Sequence, residues 1–202
     1  MPRDPRLTDA QARIDAANAE DPTLTDTPGG PVPSELLYAR RMTEWLLRLV
    51  PEPSDELLLA VRAQHLRRWE VPRSGYPDGR EGYRRWRTDQ GKRHAALATE
   101  LLVAAGYDDA FTARVSALIR KKAFKTDPEA QALEDAACLV FLEFVLPTFR
   151  LGRDDASLLP ILRKTWAKMS PGAHAFALSL PLSPADRDLV ARALKPPEPD
   201  ED

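Results

Sequence analysis

His65, His94 and Asp135 are the side chains of this sequence whose types and spacing could do chemistry. His65 continues a helical stripe of Leu58, Val61, His65 and Trp69, and His94 shares one with Leu97, Ala98, Leu101 and Ala105, so both imidazoles are expected to face inward. Asp135 falls on the stripe of Ala132, Leu139 and Leu142. A carboxylate buried there alone costs on the order of several kcal/mol, so it needs a donor, a cation or a metal. Two imidazoles and a carboxylate gathered in a helical core can hold one divalent ion, which activates water or binds a phosphate oxygen. The same set can hold iron for oxygen chemistry. The plain alternative is that each is a satisfied polar group of the core, with Asp135 accepting from His94 or from an arginine.

Between the two histidines runs the densest mixture of cations and aromatic rings in the chain. Residues 62–93 hold nine Arg and one Lys against four acids, interleaved with Trp69, Tyr76, Tyr83 and Trp86. The whole chain carries a net charge of only −2, so this basic character is local. A guanidinium grips phosphate through two parallel hydrogen bonds and an aromatic face stacks on a base, which suits a nucleotide or RNA. The substrate-binding candidates are Arg67, Arg68, Trp69, Arg73, Tyr76, Tyr83, Trp86 and Arg87, with Lys164 and Lys168 from a later helix. A solvated, partly ordered loop is the competing reading of such a stretch.

Several elements must position these residues, and all of them read as helix. Residues 7–20 form a short helix stopped at Asp21-Pro22, and a Pro/Gly-rich wrap follows to residue 33. Ser34 is expected to cap a helix with Tyr38, Met42, Trp45 and Leu49 on one face, and Ser54 or Asp55 caps the next, which runs to Trp69. The glycines and prolines from Pro72 to Gly82 predict an irregular loop, with helix resuming near Tyr83 and ending at Gly106. Asp108 or Asp109 starts a helix through Lys122. Asp127-Pro128-Glu129 opens a helix to Leu146 that is apolar on nearly every side from Ala136 to Leu142 and is expected to be central. Helices from Ser157, Pro171 and Ser183 complete the set.

No segment alternates with period two, so the expected fold is all-α: a single-domain helical bundle over 34–194, preceded by the 1–33 helix and wrap and followed by an acidic tail, 195–202. A composition of 43% hydrophobic and 30% charged residues is that of a soluble protein, and no window is apolar enough to span a bilayer. The start, MPRDPRLTDA, lacks the apolar core of a signal peptide, so a cytoplasmic protein with no membrane partner is expected. Cys138 lies in an apolar run and reads as a core residue.

Two resemblances bear on these residues. The order of LAVRAQHLRRW, KRHAALATELLVAAGYD and LEDAACLVFLE resembles the HD-domain superfamily of helical metal-dependent phosphohydrolases, in which a His, a His-Asp pair and a distant Asp ligate the ion. Tyr38 stands in the place of the first His and Leu66 in the place of the paired Asp, so the resemblance implies a degenerate centre. It implies His65, His94 and Asp135 as metal ligands, with Glu134 and Tyr38 as catalytic candidates, Tyr38 hydrogen-bonding to the site. Over nearly the whole chain, IDAAN, ELLYARRMTEWL, QHLRRWEVPRSGYP, RRWRTD, LEDAACLVFLE and LRKTWAKMS resemble an uncharacterised bacterial and plant family of unknown function (DUF4202-like), which implies a helical fold and no particular reaction.

Three function classes follow as expectations. The first is a metal-dependent hydrolase acting on a nucleotide or RNA, the second a metal-free RNA- or nucleotide-binding module on the same bundle, and the third a structural or protein-interaction role.

Overall fold

The computed structural model describes residues 4–121 and 126–195. The fold is all-α, 72% helical, with ten α-helices among the described residues. The chain divides into two compact units, the first ending at Leu133 and the second starting at Glu134.

In the first unit α1 (Pro5–Ala19) starts on Asp4, whose carboxylate accepts from the Arg6 amide, and buries Leu7, Ala10, Ile14 and Asn18 against α2 (Ser34–Leu49), α3 (Asp55–Arg62) and α4 (Gly79–Ala104). The Pro/Gly-rich wrap folds into a two-residue ribbon, β1 (Leu24–Thr25) paired antiparallel with β2 (Val32–Pro33) in the register Leu24 to Pro33. Gly30 closes its turn at φ +103°, a conformation that only glycine adopts without strain.

Ser34 does not cap α2. It is the first helical residue, its hydroxyl lies 2.7 Å from that of Thr25, and the free amide of Glu35 donates instead to Asp21, 3.0 Å away and fourteen residues earlier. The helix buries Leu36, Ala39, Met42, Trp45 and Leu46, one step round from the expected stripe, so Tyr38 and Leu49 sit half-buried at its flank.

Helix α3 is the most enclosed of the first unit: Leu57 to Val61 are all buried, and each buried leucine is worth about 1.5–3 kcal/mol. Ser54 caps it, accepting from the Leu57 amide at 3.1 Å. It ends at Arg62, not at Trp69, because the Asp15 carboxylate holds the Arg62 guanidinium at 2.5–2.6 Å and Arg67 turns into the left-handed region at φ +52°, its amide donating to Asn18. Arg68–Glu70 and Arg73–Gly75 form single 3₁₀ turns.

Helix α4 begins at Gly79, earlier than its glycines imply. Gly82 is a close-approach residue: a Cβ there would overlap the Pro77 carbonyl. Every fourth residue from Gly82 to Leu102 is buried, and the stripe includes Trp86, Gln90 and His94. Helix α5 (Asp109–Ile119), capped by Asp108, packs on α3 and α4. Helix α6 (Pro128–Val140) is buried on nearly every side from Ala132 to Val140, as its composition implies.

The second unit begins within α6. A π-helical turn, Phe141–Val145, links it to α7 (Leu146–Phe149), and α8 (Asp155–Trp166), α9 (Pro171–Leu178) and α10 (Pro184–Leu194) follow. Asp154, Ser170 and Ser183 cap the last three through the amides of Ser157, Ala173 and Asp186. No described helix is long and apolar enough to cross a membrane. The expected helix end at Lys122 and nearly all of the acidic tail lie outside the described residues.

Candidate functional site

The turn after α3 brings His65 to α2 and α4. Its ring stacks on that of Tyr38 at 4.0 Å and 8°, and the His94 ring lies 5.9 Å away. His65 Nδ1 stands 3.3 Å from the Glu35 Oε2, with the two side chains 22% and 16% exposed. His94, 2% exposed, is hydrogen-bonded to the Gln64 backbone, while its Nε2 has no hydrogen-bond partner among the described residues. A buried nitrogen left unpaired costs about 1–3 kcal/mol, and that cost asks for an explanation.

Beside these groups lies Arg68. Its guanidinium sits 4.4 Å over the Trp86 ring and makes no hydrogen bond or ion pair among the described residues. It fronts a cavity of about 370 Å³ lined by Asp21, Thr23, Ser34 and Glu35 together with Arg68, Trp69, Val71, Pro72 and Trp86. The loop carrying Arg68 is held by α4: Trp86 Nε1 donates to the Val71 carbonyl at 2.9 Å, and Gln90 Nε2 donates to the carbonyls of Arg68 and Val71.

Burial sets the charges. It pushes Glu35 up to about 7, opposed by the cation of Arg68 and reinforced by Asp21. It holds His65 well below its usual value, helped by Arg68 and by His94, and brings His94 down to about 3. Both imidazoles are therefore neutral at pH 7 and Glu35 is balanced between acid and carboxylate. A neutral imidazole against a titrating carboxyl, with a fixed cation alongside, can take up and return a proton next to a bound anion.

The family model described as Domain of unknown function (DUF4202) matches residues 8–190. The chain belongs to the DUF4202 family. No curated protein and no solved structure matches it at a significant level. The match runs through both units of this DUF4202 protein and leaves the assignment of roles to the geometry.

Of the three ligand candidates, the structure brings His65 and His94 together. Asp135 belongs to the second unit, where its carboxylate accepts from the Ser170 amide at 2.8 Å. The described residues contain no group of three His, Cys, Asp or Glu side chains placed to hold a metal ion, so the residues present do not fit the ion that the HD-like order implies. Glu134, a catalytic candidate, is buried in the second unit and pairs with the substrate candidate Lys168 at 3.2 Å; Lys164 is exposed in the same unit. Tyr38 does join the His65 cluster, stacking on the imidazole.

Several binding candidates are spent on the loop itself. Arg67 pairs with Glu20 and Glu70, Arg73 donates to the carbonyls of Tyr76 and Pro77, and Tyr76 donates to Asp89. Trp86 is 8% exposed, with its N–H on Val71 and a face under Arg68, so it is a support and not a platform for a base. Arg68 and Trp69 face the cavity, while Tyr83 and Arg87 are exposed on α4. Sequence reasoning missed Glu35. Its one signal was position, an acid in the first turn of α2 three residues before Tyr38, and a first-turn acid is ordinarily explained by the helix dipole.

Proposed function

We propose that the first unit binds a phosphate-bearing small molecule at the Arg68 cavity. The observation that carries this reading is the state of Arg68: half-buried, stacked on Trp86, and without hydrogen bond or ion pair among the described residues. Other arginines of the unit have their acids, Arg62 on Asp15 and Arg114 on Asp127 and Glu129. A guanidinium stays charged even where burial lowers its pKa, as it does here, so the cavity presents a standing cation to an anionic ligand. Calorimetric titration with inorganic phosphate and nucleoside monophosphates tests it. Wild type and Arg13→Gln, an exposed control, should bind alike while Arg68→Gln binds roughly 10- to 100-fold more weakly; equal binding by all three removes Arg68 from the site.

The His65 and Glu35 pairing favours hydrolysis of that ligand as a second step. His65 Nε2 takes a proton from water as the water oxygen bonds to phosphorus, the ester P–O bond breaks, and the leaving oxygen takes the proton back from the imidazolium, which Glu35 steadies at Nδ1. Turnover of bis-p-nitrophenyl phosphate or of a nucleotide, lost in His65→Gln with binding kept, is the expected result. The metal-dependent hydrolase and the iron oxygenase both need a group of three ligands, and the described residues contain none. The RNA-binding alternative draws on exposed Arg80, Tyr83, Arg84, Arg85 and Arg87 along α4, and a steep loss of affinity with salt for polynucleotide over mononucleotide would select it.

A further inference from the structure

We infer that the ligand is a single ribonucleotide, its base lying on Trp69, its phosphate on Arg68 and its ribose hydroxyls read by Glu35. This rests on the reading that Arg68 binds phosphate.

Size comes first. A cavity of about 370 Å³ lies at the small end of the roughly 300–1,000 Å³ typical of small-molecule sites, which gives room for one nucleotide.

The aromatic wall decides the class. Three of the four tryptophans have a claimed face: Arg48 sits 3.8 Å over Trp45, Arg68 sits over Trp86, and His174 stacks on Trp166 at 4.0 Å. Trp69 is half-buried on the cavity wall, with no ring partner, cation or hydrogen bond to its indole among the described residues. It is the immediate neighbour of Arg68 in the same 3₁₀ turn, so a phosphate on one residue leaves a base within reach of the other. A bare indole beside a bare guanidinium is the pairing that recognises a base joined to a phosphate.

The lining from Asp21, Thr23, Ser34 and Glu35 is polar, and most of its capacity is already used. The Asp21 oxygens accept from the amides of Thr23 and Glu35, and the Ser34 hydroxyl is engaged with Thr25. Glu35 retains acceptor capacity beyond its contact with His65, and a carboxylate accepting from ribose hydroxyls is an established way to hold a nucleotide sugar. Inorganic phosphate, which lacks base and sugar, and a sugar phosphate, which lacks the base, would leave Trp69 uncovered.

The test is calorimetric titration of the folded full chain with AMP, GMP, CMP, UMP, ribose 5-phosphate and inorganic phosphate. At least one nucleotide should bind wild type roughly 5- to 150-fold more tightly than ribose 5-phosphate, the span that base stacking supplies. Trp69→Ala should abolish that difference and leave the ribose 5-phosphate affinity unchanged, while Trp69→Phe keeps most of the difference. The 2′-deoxy form of the best nucleotide should bind more weakly than the ribo form in wild type and equally in Glu35→Gln. Nucleotide and ribose 5-phosphate binding wild type equally would overturn the inference with the phosphate reading intact, as would Trp69→Ala weakening both alike. Failure of all six ligands to bind folded wild type would sink both.

Discussion

Each unit buries ionisable side chains, and the two treat them in opposite ways. In the second unit Asp135 accepts from the Ser170 amide, Glu134 pairs with Lys168, Asp186 meets both Arg150 at 2.6 Å and the Ser183 hydroxyl, and His174 bonds to the Trp166 carbonyl. In the first unit Glu35, His65, Arg68 and His94 crowd together with a titrating carboxyl and, among the described residues, an unpaired guanidinium and a bare imidazole nitrogen. The second arrangement spends polar groups on holding helix ends. The first leaves a guanidinium and an imidazole nitrogen without hydrogen-bond partners among the described residues, and that contrast supports the proposed ligand site.

Asp186→Ala should break the structural side of the contrast most heavily. It removes the partner of a half-buried guanidinium and the acceptor of the Ser183 hydroxyl at the start of α10, so a loss of about 1.5–3 kcal/mol is expected in urea unfolding, with phosphate binding by the folded fraction unchanged. A loss under about 1 kcal/mol would show that the pairing there is ornamental.

Glu35 sharpens the other side through pH. Its folded pKa, about 7, lies above the ordinary 4.5, so the folded state holds the proton more tightly than the unfolded chain does. Its contribution is present below pH 4.5 and is lost as pH rises to 7, by about 3 kcal/mol in all. His94 acts in the reverse sense: with its folded value near 3 against the usual 6.5, stability is regained as pH rises between those values. Glu35→Gln should therefore be more stable than wild type at pH 8 and should flatten the decline above pH 5. An unchanged pH profile would mean that the carboxyl is not buried in the working protein.

Arg68→Gln should lose about 1.5–3 kcal/mol of phosphate affinity, roughly 10- to 100-fold, while urea unfolding at about pH 5, where Glu35 is protonated, shifts little, because Arg68 makes no ion pair among the described residues. The smallest effect belongs to a cap. Asp154→Ala should cost about 1 kcal/mol in thermal unfolding and leave ligand binding untouched.

What the sequence made legible follows from the range of the forces. Ser54, Asp108, Ser170 and Ser183 cap helices three residues on, and such local bonds are visible as spacing. The cap of α2 comes from Asp21 across a ribbon, and the end of α3 is fixed by Asp15 and Asn18 on α1, none of which periodicity can report. The same holds for the site. Inward phase correctly joined His65 to His94, yet phase says only that Asp135 faces a core, not which partner it meets there. Glu35 looked like an ordinary first-turn acid, and Trp86 looked like an available ring because aromatic density carries no information about which face is already covered.

The clamp on the Arg68 loop has a consequence in time. Trp86 and Gln90, on successive turns of α4, supply three hydrogen bonds to a stretch whose own backbone forms only short 3₁₀ turns. Two of the three converge on a single carbonyl, that of Val71. Once that carbonyl leaves, Trp86 Nε1 loses its acceptor and Gln90 Nε2 keeps only the Arg68 carbonyl, so two of the three bonds break in one step. Amide hydrogens from Arg68 to Val71 should exchange with solvent as one cooperative group with a shared opening free energy, and the cavity wall behaves as a latch with two positions, not as a flexible strand.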